Sequence, residues 1–136
     1  MLGARVLHIA VLGLTAAATE KSPFAGTWEG KINDLPGVDL TIEAAAGKIS
    51  GVVVFYFQFR GDDGKWRVEG KHRVDMLTPQ AGGKTLAFEV IHHKTHGSSE
   101  RGPNAKFRME LTGENEAILH KVDDQPGPPV KLTRRR

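Results

Sequence analysis

The sequence predicts an all-β chain rolled into an eight-stranded antiparallel up-and-down barrel. Three observations carry that expectation. Apolar and charged residues alternate with period two over most of the chain after residue 25. A strand turns successive side chains to opposite faces, so such alternation marks a half-buried strand. The alternating runs are separated by clusters of Gly, Asn, Asp and Pro, the residues that permit tight backbone reversal. Beyond the N-terminal leader, no segment repeats its apolar residues at helical spacing.

The first strand is predicted over 26–32, with Trp28, Gly30 and Ile32 on one face. The second, over 38–44, adds Val38, Leu40 and Ile42; a five-residue turn at 33–37 sets Ile32 opposite Val38. The third, over 48–59, holds Val53, Phe55, Phe57 and Phe59 on one face and Val52, Val54 and Tyr56 on the other. The fourth, over 65–77, has the clearest face split. Trp66, Val68, Gly70, His72, Val74 and Met76 face one way, and Lys65, Arg67, Glu69, Lys71, Arg73 and Asp75 the other. A four-residue turn at 61–64 sets Phe59 opposite Trp66, Phe57 opposite Val68, Phe55 opposite Gly70 and Val53 opposite His72. Paired residues share a face, so the two apolar sides coincide.

A turn at 78–83 makes a hairpin of the fourth strand and a fifth over 84–93, which brings Leu86, Phe88, Val90 and His92 to the apolar side. A ten-residue loop at 95–104 is placed as a rim or a lid. Strands over 105–112, 116–122 and 129–133 follow, the first with Phe107, Met109 and Leu111 inward. Three turn residues at 113–115 would direct His120 outward; two or four would direct it inward. Gly30, Gly51 and Gly70 lie inside strands, where glycine allows sharp bending. Eight strands with one apolar face each must hide that face, and closing into a barrel also removes the edges.

The N-terminus reads as an export signal over 1–18: Arg5, an apolar run over 6–14 and Ala16-Ala17-Ala18 as the cleavage site. Residues 19–136 then form one domain, secreted or periplasmic. The chain has no cysteine, which excludes disulfides, thiolate metal sites and cysteine nucleophiles. Net charge is +3, and charges of both signs share one face of each strand. The only basic run is Arg134-Arg135-Arg136 at the terminus, so no nucleic-acid partner is expected. The leader is too short to span a bilayer, and no membrane insertion is expected.

His72 and His92 are the polar exceptions on the apolar face. If Val90 or Phe88 sits opposite His72, His92 lies one or two diagonal steps away, and both imidazoles point into one cavity. There they could bind a ligand carboxylate or hydroxyl, or serve only as satisfied interior histidines. The run His92-His93 with His96 makes a poor metal site, because adjacent strand residues point to opposite faces. No metal and no cofactor is expected. The assignable strand carboxylates face outward, and no nucleophile elbow, phosphate loop or dinucleotide fingerprint is present. No catalytic residue is assigned.

Phe24-Ala25-Gly26-Thr27-Trp28 resembles the opening of the calycin superfamily, which joins lipocalins, fatty-acid-binding proteins and avidins. Lipocalins carry G-x-W on their first strand, and Gly47-Lys48-Ile49-Ser50-Gly51 is similar to an avidin element, G-x-I-x-G. The match covers about the first three strands. It implies that Trp28 plugs one end of the barrel and that Lys131 or Arg134 covers it, in part as a cation–π contact. No helix pair follows the first strand, which disfavours a fatty-acid-binding architecture. Only Trp28 and Trp66 are present, too few for an avidin-type biotin site.

The expected protein is therefore a lipocalin-like barrel that binds a small, largely apolar molecule. Phe55, Phe57, Trp66, Val68, Phe88, Val90, Phe107 and Met109 would line the site, and His72 and His92 would orient a polar group. Two alternatives stand beside it: a solidly packed structural or protein-interaction barrel, and a barrel enzyme of isomerase or cyclase type using an interior histidine. The outer stripe Val52, Val54 and Tyr56 is a candidate contact for a homo-oligomer.

Overall fold

The computed structural model describes residues 22–92 and 102–135. The export signal, His93, His96 and most of the 95–104 loop lie outside the described residues. The described residues form nine strands and no helix: β1 (Gly26–Ile32), β2 (Leu35–Ala45), β3 (Lys48–Arg60), β4 (Trp66–Asp75), β5 (Leu77–Gly82), β6 (Thr85–Val90), β7 (Ala105–Gly113), β8 (Glu116–Lys121) and β9 (Val130–Arg134). They make a single antiparallel sheet in the order β4-β3-β2-β1-β9-β8-β7-β6-β5, curled into a half-barrel. The up-and-down all-β architecture expected above is what the chain adopts. Pairing of β1 with β9 joins its two ends, with Trp28 opposite Arg134 and Gly30 opposite Leu132.

The extra strand arises at Met76. The expected fourth strand does not end near Leu77. It bends at Met76, whose N–H donates to the Gly51 carbonyl at 2.9 Å, and then continues as β5. Its first half pairs with β3 and its second with β6. The predicted 78–83 turn is therefore mostly strand. The reversal is confined to Gly83 (φ 60°) and Lys84, and β4 does not form a hairpin with β6. Gly51 makes the bend possible. A Cβ there would lie 2.9 Å from the Thr41 carbonyl oxygen and 3.1 Å from the Met76 side chain.

Turn chemistry sets the register elsewhere. Asn33 and Asp34 adopt φ 55° and 61°, the left-handed pair of a type I′ hairpin turn. Ile32 thus pairs with Leu35, not with Val38 as expected. An irregularity beyond Gly30 restores the expected facing but not the expected partners: Val38 meets Gly30 and Leu40 meets Trp28, two residues from the expected register. The β3–β4 loop is one residue shorter than expected. Gly61 donates to the Lys65 carbonyl at 2.8 Å, and Gly64 takes φ 79°, a turn closed by a left-handed residue. A one-residue slip turns every side chain to the opposite face. Arg60 therefore pairs with Trp66, Phe59 with Arg67 and Gln58 with Val68. Glu69 is then an extra residue in β4, and beyond it Gly70, His72 and Val74 return to the inner face opposite Phe57, Phe55 and Val53.

The inner face holds one core. Phe24, Trp28, Leu40, Ile42, Val53, Leu86, Met109 and Leu132 are its largest fully buried side chains. Phe55, Phe107 and Phe88 bridge the concavity from β3 to β6. Their ring centroids stand 5.7 Å apart for Phe55–Phe107 and 5.6 Å for Phe88–Phe107. Burial of this apolar surface supplies most of the driving force for the curled shape.

Candidate functional site

The two ends of the curled sheet differ. At the end where β1 begins, Trp28 is completely buried and its indole N–H donates to the Phe24 carbonyl at 2.9 Å. The Arg134 guanidinium lies over the indole, 4.5 Å from the ring centroid. It also donates to the carbonyls of Ala25 (3.0 Å) and Pro23 (2.5 Å). Of the two residues that the resemblance implied as the cover, Arg134 takes the role. Lys131 is exposed and lies 3.9 Å from Glu116. This end is closed by a plug and an arginine clamp.

The ten residues expected to line a site divide into three groups. Phe88, Val90, Phe107 and Met109 face inward but are buried in the core, between 0% and 8% exposed. They pack against the other side chains of the core. Trp66 and Val68 are 42% and 39% exposed. The shortened β3–β4 loop turns them to the outer face with Arg60 and Gln58, which corrects the expected inward placement. Phe55, Phe57 and His72 share the inner face of β3 and β4; the two phenylalanines are half-buried and His72 is exposed. The His72 ring stacks on Phe57, with centroids 6.3 Å apart and planes 27° apart.

The two inward histidines are not brought together by strand pairing. His72 pairs with Phe55. His92 lies beyond the end of β6, is exposed, and accepts the Gly102 N–H at 2.9 Å through its carbonyl. The expected β4–β6 hairpin that would have made them diagonal neighbours is replaced by β5–β6. His120 points outward, opposite Arg108, with Nε2 3.7 Å from a Glu110 carboxylate oxygen. The turn there has two residues, Glu114 and Asn115, but an irregularity between Leu111 and Gly113 reverses the parity and turns Ala117 and Leu119 inward instead. Among the described residues no group of three or more His, Asp or Glu side chains could hold a metal ion.

The shifted titrations lie on the outer face and in the connections. A hydrogen bond from Arg67 lowers the Asp63 carboxyl below its ordinary range. Lys121, the backbone N–H groups of Gln125 and Lys106 bring Asp123 down to about 2. On β1, the Arg135 guanidinium lowers Glu29. The bond from the Tyr56 hydroxyl to Asp39 raises the phenol. These are structural ion pairs and hydrogen bonds, remote from the inner face.

The outer stripe expected as an oligomer contact is partly used within the chain. Tyr56 is tied to Asp39 at 2.7 Å. Val52 and Val54 floor an open groove of about 770 Å³, bordered by Glu43, Arg73, Asp75 and Leu77. This groove is missed by reading one strand at a time, because its walls come from β2, β3, β4 and the start of β5.

No family model matches the chain, and neither a curated protein nor a solved structure matches it.

Proposed function

We propose that the protein is a calycin-like binding module that holds a small, largely apolar molecule against the inner face of β3 and β4. The supporting observation is the uneven filling of the concave side. Most inward side chains are buried in the core, whereas Phe55 and Phe57 are half-buried beside it and His72 is exposed at its edge. An apolar molecule laid on Phe55 and Phe57 would lose contact with water on one face, and the imidazole would select a polar substituent. The plugged end under Trp28 and Arg134, and the G-x-W on β1, support the calycin reading. Export through the leader at 1–18 belongs to the same proposal.

Titration with 1-anilino-8-naphthalenesulfonate tests it. Enhanced emission with one saturable site, reduced at least about tenfold in affinity by Phe57→Asp but not by Trp66→Ser, is the expected result. The absence of a saturable site, or equal binding by the Phe57→Asp variant, refutes the reading. The burial of Phe88, Val90, Phe107 and Met109 favours a second reading, a solidly packed interaction module; native mass spectrometry of protein from its own source, showing no co-purifying small molecule, would select it.

A further inference from the structure

We infer that the connection between β8 and β9 is a docking ligand for a protein domain of the SH3 type, one that takes a polyproline II helix in an aromatic groove with an acidic rim. The connection is longer than the fold requires. Strands β1 and β2, β2 and β3, β5 and β6, and β7 and β8 are each joined by two residues, which is enough for adjacent antiparallel strands. β8 and β9 are also adjacent and antiparallel, yet eight residues, 122–129, join them. The second half of that connection reads Pro126-Gly127-Pro128-Pro129, and Val130-Lys131 follows.

The composition dictates the backbone. Proline locks φ near about −65°, and a residue that precedes proline is turned from helical toward extended backbone. The first rule holds Pro126, Pro128 and Pro129; the second holds Gln125, Gly127 and Pro128. Together they specify polyproline II. Residues 126–129 accordingly form neither strand nor turn, and all four are exposed. Gly127 does not take a left-handed φ, and a Cβ on it would meet nothing within 4 Å. Both ends of the segment are fixed. The Asp123 carboxylate accepts the N–H of Gln125 at 2.9 Å, the N–H of Lys106 at 3.2 Å and the Lys121 ammonium at 2.8 Å. Lys121 also donates to the Gln125 carbonyl at 2.6 Å. At the other end Val130 pairs with Leu119. A segment ordered in advance loses little entropy when it binds.

The same features define the partner. Polyproline II repeats every three residues, so Pro126 and Pro129 lie on one ridge. A P-x-x-P ridge of this kind fits an aromatic-lined groove. The helix makes no internal hydrogen bonds, which leaves its carbonyls to accept from the O–H and N–H groups of tyrosine and tryptophan. Lys131 stands two residues beyond Pro129, with its side chain 73% exposed and 3.9 Å from Glu116, itself 56% exposed. Such an exposed pair is weak, so the ammonium is available to carboxylates beside the groove. The inference is independent of the ligand reading, because Phe55, Phe57 and His72 lie on β3 and β4.

Isothermal titration calorimetry of the full chain tests the inference. The probes are purified SH3 domains that take P-x-x-P-x-K or P-x-x-P-x-R ligands, with a WW domain that needs tyrosine after its prolines as control. Saturable one-to-one binding to at least one SH3 domain, with Kd below about 200 μM, and none to the WW domain, is expected. Pro126→Ala and Pro129→Ala should each weaken it at least about tenfold, and so should Lys131→Glu, with far-UV circular dichroism unchanged. Pro126→Ala alone decides if the Pro129 variant does not fold. Gly127→Ala should bind at least as tightly, since alanine enters this backbone without strain and has less freedom to lose. Four results overturn the inference: binding to none of the SH3 domains; undiminished binding by the proline variants, which would place the contact elsewhere; a tenfold loss in Gly127→Ala, which would exclude an extended backbone there; or binding to the WW domain as tight as to any SH3 domain.

Discussion

Replacing Arg134 by alanine removes the clamp over Trp28, and the structure sets the size of the loss. The guanidinium sits 4.5 Å from the indole centroid, a cation–π contact worth about 0.5–2 kcal/mol. It also donates to the carbonyls of Pro23 and Ala25, and such bonds contribute about 1 kcal/mol each once the competing water is counted. The Arg134 Nε is buried without a partner, which subtracts from the gain. Together these give an expected loss of about 2–4 kcal/mol. Arg134→Lys keeps the charge but cannot span both carbonyls, so its loss should be about half as large. Urea unfolding followed by far-UV circular dichroism measures both. A double-mutant cycle with Trp28→Phe isolates the ring contact, with an expected coupling of at least about 0.5 kcal/mol. A loss below about 0.5 kcal/mol for Arg134→Ala, or no coupling, would show that Trp28 closes this end without its cover.

Other perturbations check separate parts of the account. Gly30→Ala would place a methyl group 2.7 Å from Val130 Cγ1 and 2.9 Å from Leu132 Cδ2; overpacking should cost about 1–3 kcal/mol in urea unfolding, whereas Gly82→Ala, with nothing within 4 Å, should be close to neutral. Asp123 has a folded pKa of about 2, below its unfolded value near about 4. It therefore adds stability above about pH 4 that is lost as pH falls toward 2, and Asp123→Asn should flatten the stability profile across that window. Iodide should quench Trp66, 42% exposed, and spare Trp28, 0% exposed; complete protection of both tryptophans would contradict the outward turn of Trp66.

The shortcomings of the sequence reading trace to single residues. Period two identified β1 to its ends, and it identified the inner set Trp28, Leu40, Val53, Phe88, Phe107 and Met109. The same rule misplaced Trp66 and Val68, because it cannot see that Gly64 closes a shorter loop or that Glu69 is extra. Two one-residue irregularities cancel: the inner face is recovered at Gly70 and His72 and lost only at the hairpin tip. Met76 is a second case. Its alternation runs unbroken through a bend, since a strand that changes partners keeps its own pleat. The candidate site suffered most, because its residues lie nearest to these irregularities.

By itself, then, the chain's alternation of apolar and charged residues determined an all-β fold with a sided sheet, and Trp28 as an interior residue. Those properties depend on the local pleat and on the removal of apolar groups from water, both of which a linear pattern records. Tertiary structure alone decided that Phe88 and Phe107 fill the middle and that Arg134 covers Trp28. Each of these depends on where distant strands meet, and that is set by turn lengths, bulges and the bend at Met76, which no repeating pattern encodes.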